Sequence, residues 1–192
     1  RAVLKSVLAL FDKADLEPVI APELEFFLVK QSSDANAPLI TPPGRSGRAE
    51  KARQAYGIDA VNEFDPLFEE IYDHCDVPEL DIDTLSHEAG AAQMEINFNH
   101  GHALDLADQA FLFKRTVRQA AINHYLHATF MAKPMQEQPG SAMHVHVSVK
   151  SKKSGKNIFS NDDGSESDDF YHSVAGMQRY LSGAMALMAP YV

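Results

Sequence analysis

Residues 21–29 read APELEFFLV. The run is apolar enough for a buried strand, yet it carries two carboxylates. Strand side chains alternate between faces, so Glu23 and Glu25 point the same way. Like charges held together among apolar neighbours raise each other's pKa and cost stability. Another feature of the chain must make the arrangement favourable.

Two further segments show the same pattern. AAQMEINF (91–98) puts Gln93, Glu95 and Asn97 on one face, and MHVHVSV (143–149) does so for His144, His146 and Ser148. The opposite faces hold Leu24 and Phe26, Met94 and Ile96, and Val145, Val147 and Val149. His87 and Glu88 end a fourth candidate strand, 80–88. If these strands share a sheet, one face is lined with carboxylates and imidazoles. Any one of them alone reads more simply as half-solvated. Wet faces usually carry Thr, Lys, Arg and Ser, however, and none of the three segments contains Lys or Arg. Clustered carboxylates without basic partners call for a cation among them. Oxygen donors with an occasional imidazole suit Mg²⁺ or Mn²⁺ better than structural zinc, and argue against a redox role.

Around these strands the periodicity is helical. Val3, Leu4, Val7, Leu8, Leu10 and Phe11 predict an amphipathic helix ending near Asp15. Residues 62–77 predict another, with Pro66 in its first turn. Residues 106–127 predict the longest, with Phe111, Leu112, Val117, Ala120, Ala121 and Tyr125 marking its buried side. Residues 128–132 predict a short strand and 170–188 a closing helix. Residues 31–55, rich in Ser, Pro, Gly and charge, predict a long mobile loop. Several adjacent strands with helices between them indicate an α+β fold, an antiparallel sheet backed by helices.

Bulk properties narrow the function. The chain has 192 residues, 45% of them hydrophobic, enough for a sizeable core. A net charge of −10 argues against a nucleic-acid partner, which needs a basic patch. A phosphate ligand stays compatible, because a metal can carry the positive charge. One cysteine, Cys75, rules out a disulfide framework and fits a reducing cytoplasm. It reads as a core thiol. No apolar run is long enough for a membrane span. His74, His102, His124, His127 and His172 read as surface or helix-end residues, and Lys133 as either a phosphate contact or a strand-end cap. The chain begins on Arg1 and ends in an apolar pattern, so it is expected to be a piece of a longer protein.

PELEFFLV, HEAGAAQMEINF, ATFMAKP and GSAMHVHVS, in that order, resemble the catalytic domain of the glutamine synthetase family. YGIDAVNEFDPLFEEIY and GAAQMEINF look closer to its γ-glutamyl-polyamine synthetase branch. The resemblance implies a curved antiparallel sheet lined with metal ligands. Glu25, Glu88 and Glu95 would hold a first Mg²⁺ or Mn²⁺, on the side of the amino-acid substrate. Glu23 and His144 would hold a second, beside the γ-phosphate of ATP. His146 and Ser148 would lie along the nucleotide, the loop around Gly140 would contact glutamate, and Tyr56 would lie near the incoming amine. Glu88 is the candidate catalytic base. Gln93, from its place on the same face, is expected to orient a ligand.

The implied reaction is ATP-dependent ligation of an amine, such as a polyamine, to the γ-carboxylate of glutamate through an acyl phosphate. The alternatives are ammonia as the acceptor, or a non-catalytic metal- or nucleotide-binding relative. The family often shows Asn-Gly-Ser-Gly-Met-His where this chain has Pro139 to His144 as PGSAMH, a departure that favours a relative over the ammonia-using enzyme itself. By the same resemblance, residues 1–192 form part of a catalytic domain. An N-terminal β-grasp domain and the C-terminal part of the catalytic domain would lie outside them. The full-length parent is expected to be a cytoplasmic homo-oligomer of stacked rings, and the 192 residues alone to be inactive.

Overall fold

The computed structural model describes residues 1–34, 36–51 and 55–188, with side chains to 184. The chain divides into two compact units. One comprises Ala21–His100 and Asp105–Val145; the other is built from Arg1–Ile20, Gly101–Leu104 and the chain from His146 onward.

The first unit is organised around β1 (Leu16–Lys30), which continues through both units. β2 (Ile82–His87) pairs antiparallel with β3 (Gln93–Phe98), and β3 pairs antiparallel with β1. β5 (Leu126–Thr129) and β6 (Met143–Ser151) also pair with β1, and in the other unit the two-residue β4 (Gly101–His102) pairs with β1 at Ile20 and Val19. The expected antiparallel sheet is therefore present, with one long strand at its hub.

Its core face carries Leu24, Phe26, Met94, Ile96 and Phe98, all buried. Helix α4 (Ala103–Asn123) covers this face through Phe113, whose ring lies 5.4 Å from Phe98 and 6.5 Å from Phe26, both edge-on. Val117, Ala120 and Ala121 are buried as the periodicity predicted. Phe111, Leu112 and Tyr125 are not: they are 71%, 40% and 83% exposed. The buried stripe instead runs through Leu106, Ala110, Phe113 and Val117, at helical spacing of three to four. An apolar residue beside the stripe is easily mistaken for a member of it.

α4 also stops earlier than the pattern suggested. Tyr125 adopts φ 58, a left-handed turn that ends the helix and starts β5 two residues before the predicted strand. His127 and His102 accordingly lie in strands rather than in helices or loops. The helix predicted over 62–77 is two helices, α2 (Ile58–Asn62) and α3 (Asp65–Asp76), the second burying Leu67, Phe68, Ile71 and Cys75. Burial pushes the Cys75 thiol up to about 11, consistent with an inert core thiol. Glu70 on α3 accepts hydrogen bonds from Asn123 and His124 beyond α4, so His124 is an anchored helix-end residue.

The predicted loop 31–55 is irregular, as expected, but it is tied down. Lys30 N donates to Ile40 O, Gly44 N to Arg48 O and Arg45 N to Glu63 O, and Arg45 pairs with Asp65 at 2.8 Å. Residues 35 and 52–54 of this segment lie outside the described residues, as does the chain end at 189–192.

In the second unit, α1 (Ala2–Lys13) forms where predicted, yet buries none of its residues. Val19, Ala103 and Val149 are buried there, while α5 (Asp168–Met188) closes the chain. A groove of about 510 Å³ in this unit is lined by Phe11, Leu16, Val149, Ile158 and Phe170, and is apolar.

Phe113→Ala is expected to cost about 3–5 kcal/mol by urea denaturation. Phe111→Ala should stay within about 0.5 kcal/mol. Equal losses would contradict this orientation of α4.

Candidate metal centre

The register of β1 on β3 builds the site. Glu25 stands opposite Glu95, Glu23 opposite Asn97 and Phe27 opposite Gln93. Residues directly opposite in an antiparallel pair share a face. Three carboxylates and two amides therefore stand on one side of two strands, the other side being the aliphatic core. Pairing of β6 with β1 adds His144, whose Nδ1 lies 3.2 Å from Glu23 Oε2 and 3.9 Å from Glu25 Oε1. Ligand atoms of Glu23, Glu95 and His144 all fall within 4.8 Å of one another. The convergence crosses the two ligand sets that the resemblance implies: Glu95 of the first meets Glu23 and His144 of the second.

Gln93 orients this face. It is 1% exposed, and its amide nitrogen donates to Glu25 Oε2 and to Gly140 O, both at 2.9 Å. Its amide oxygen accepts from Gly90 N at 2.9 Å. Ala142 N adds a second donor to Glu25 Oε2, at 3.1 Å. One buried amide thus links a carboxylate of the face to the loop at Gly140. Gly90 permits it: a Cβ there would sit 2.6 Å from Gln93 Oε1 and 2.7 Å from the Phe27 ring.

Electrostatics set the face apart from an ordinary wet sheet. Burial, reinforced by the carboxylates of Glu23, Glu88 and Glu25, lifts Glu95 from 4.5 to about 6, and His144 pulls the other way. Tyr56, although 73% exposed, has its phenol pushed up, first by Glu88 and then by burial, Glu95, Glu25 and Glu23. Opposite Glu23, Asn97 Oδ1 is buried and lacks a hydrogen-bond partner among the described residues. Carboxylate oxygens, an imidazole and an unsatisfied amide oxygen, crowded enough to raise a buried acid's pKa, are a donor set that fits a hard divalent cation.

The remaining candidates fall as follows. Glu88 follows β2, and its Oε2 accepts from Ala89 N at 3.0 Å. Gly140 lies in the exposed loop before β6. Ser141, next to it, has a buried hydroxyl oxygen without a partner among the described residues. His146 and Ser148 belong to the second unit, on the continuation of β6, His146 exposed and Ser148 half-buried. Lys133 Nζ donates to Gln138 O, a local tie of the kind a strand-end cap makes.

His87 does not join the acidic face. It stands opposite Met94, so it points to the core side and is fully buried. There its Nε2 meets Glu50 Oε2 at 2.9 Å. Glu50 was not legible as part of any site, because it sits in an irregular segment far from His87 in sequence.

A family model described as the glutamine synthetase catalytic domain matches residues 1–192. The chain belongs to the glutamine synthetase family. It is 36% identical over 195 residues to gamma-glutamylputrescine synthetase PuuA of Escherichia coli (strain K12), covering all of this chain and 41% of that protein. It is 34% identical to a glutamine synthetase of Thermococcus kodakarensis, again over its whole length and 40% of the relative. The fold superposes on GmaS solved without ligand with a TM-score of 0.80 at 29% identity, over 97% of this chain and 42% of that one. It superposes equally well, at 21% identity, on the Plasmodium falciparum glutamine synthetase, over 97% of this chain and 40% of that one. The chain spans about two fifths of the length of these relatives. The α+β fold expected from glutamine synthetase-type motifs is the fold observed. Among the described residues no helix is long and apolar enough to cross a membrane.

Glu95 gives this acidic face a pH signature. Its folded-state pKa lies above its unfolded value, so ionised Glu95 opposes folding above about pH 6. That cost is relieved as the pH falls from 6 towards 4.5. In metal-free protein, Glu95→Gln should remove this gain in melting temperature on acidification. Mn²⁺ affinity should fall by up to about tenfold per unit below pH 6, because protons and metal compete for the same oxygens. Calorimetry at pH 5 and 7 checks both, and identical profiles for wild type and Glu95→Gln would contradict the assignment.

Proposed function

We propose that this chain is the central part of the catalytic domain of a longer, ATP-dependent ligase that joins an amine to the γ-carboxylate of glutamate. The observation that carries the reading is the convergence of Glu23, Glu95 and His144, with Glu25 beside them, on one sheet face. Glu23, Glu25, Glu88, Glu95 and His144 are the proposed ligands of two Mg²⁺ or Mn²⁺ ions. Bound there, such ions would supply Lewis-acid neutralisation of phosphoryl charge.

A carboxylate does not react with an amine directly, because oxide is a poor leaving group. In the proposed sequence, a γ-carboxylate oxygen of glutamate attacks the γ-phosphorus of ATP and ADP leaves. The amine nitrogen then attacks the acyl carbonyl, inorganic phosphate leaves and the nitrogen sheds a proton. Glu88 accepts that proton. Gln93 keeps Glu25 and the Gly140 loop in fixed relation, so that glutamate bound by the loop meets the acidic face in one geometry. His146 and Ser148 take the nucleotide.

The acidic face and Tyr56 favour a cationic acceptor, since clustered carboxylates attract an ammonium group. The gamma-glutamylputrescine synthetase at 36% identity supports a polyamine. Ammonia is the second reading, supported by glutamine synthetases at 34% identity. The whole protein is proposed to be a cytoplasmic homo-oligomer.

Phosphate release from the full-length protein with glutamate, ATP and a panel of ammonia, putrescine, spermidine and monoamines tests the reading. Turnover is expected with the polyamines. Ammonia alone would select the second reading, and no turnover with any amine would overturn both. Glu95→Ala and His144→Ala should each weaken Mn²⁺ binding by at least about tenfold. Unchanged affinity in both would overturn the ligand assignment.

A further inference from the structure

The buried pair of Glu50 and His87 has no part in the chemistry above, yet it is joined to the site at three backbone points. His87 Nδ1 donates to Glu88 O at 2.6 Å, and its Nε2 to Glu50 Oε2 at 2.9 Å. Glu50 Oε2 also accepts from Ala92 N at 2.6 Å. His87 O accepts from Tyr56 N at 2.8 Å. Burial works against the charge on Glu50, but the bonds from His87 and Ala92 outweigh it and hold the carboxyl below its usual range.

Two of the residues so tied are strained. Ala92 has φ 54 and Tyr56 has φ 58, a left-handed region uncommon for side chains other than glycine. Such conformations persist where the surroundings over-determine them, and they cluster at functional sites. A buried ion pair is itself a poor source of stability, since apolar replacements often do as well. Its worth here is geometric. It joins Glu50, the residue after β2 and the turn before β3 to the backbone of Tyr56. The carbonyl that holds Tyr56 N belongs to the residue directly before Glu88, so the backbone carrying the ring is bonded next to that carboxylate's own backbone.

We infer that Glu50 and His87 are positioning residues for the amine substrate. They fix Tyr56 relative to Glu88, so that a cationic amine is received between the aromatic ring and the carboxylate. The inference rests on the ligase reading for the amine being a substrate. A pair of purely structural value would affect all substrates alike, whereas a positioning pair affects the amine.

The test is steady-state kinetics of the full-length protein with putrescine, glutamate and ATP varied in turn. Glu50→Ala should raise the amine KM by about tenfold or more, since small misplacements in a site are costly. The KM values for ATP and glutamate should stay within about twofold. Glu50→Gln, which keeps an acceptor oxygen of the same reach, should restore most of the amine KM. Glu50→Asp keeps the charge but shortens the reach; it serves if the alanine variant does not fold, with an expected rise of about threefold. Parallel rises in all three KM values, or an unmoved amine KM in an active enzyme, would overturn the positioning role of the pair and leave the ligase reading standing. Wild-type protein that joins no amine to glutamate would overturn the ligase reading and this role with it.

Discussion

The like-charge repulsion among Glu23, Glu25 and Glu95 is the constraint to which the rest of the structure answers. Antiparallel register makes it unavoidable: once Glu25 stands opposite Glu95, both carboxylates share a face and Glu23 joins them. The core fixes that register, because a one-residue slip would turn Leu24, Phe26, Met94 and Ile96 outward. Hydrophobic burial on one side of the sheet therefore holds the electrostatic strain on the other. Burial first, and then the neighbouring carboxylates, lift the pKa of Glu95 to about 6.

The surroundings relieve part of it without removing it. Glu25 Oε2 accepts two hydrogen bonds, from Gln93 and Ala142. Glu23 has His144 beside it. Glu95 is left with burial and three acidic neighbours, and His144 is the group that offsets them. Asn97 adds an unsatisfied oxygen to the same face. A divalent cation held by Glu23, Glu95 and His144, whose ligand atoms lie within 4.8 Å of one another, would offset much of this charge.

Much of this was legible in the sequence, because both determinants are local. Period-two alternation placed Glu23, Glu25, Gln93, Glu95 and His144 on strand faces, and helical periodicity found α1, α4 and α5. What escaped depends on distance or on small rotations. Phe111 and Phe113 are two residues apart, about 200° around a helix; periodicity pointed to Phe111, but Phe113 is the one that faces Phe26 and Phe98. His87 was read with the acids because Glu88 follows it, but alternation turns it to the core. Glu50 carries no local signal: its partners, His87 and Ala92, lie 37 and 42 residues away. The loop around it looked unstructured by composition, yet it is anchored by contacts that composition does not encode.

The central claim is that this sheet face is built for divalent metal. Anomalous diffraction at the manganese edge, from crystals of the full-length protein grown with millimolar Mn²⁺, tests it most directly. The account predicts anomalous peaks bonded to oxygens of Glu23 and Glu95 and to the ring of His144. A face without a peak, in crystals that diffract well and hold Mn²⁺ at saturating concentration, would contradict it.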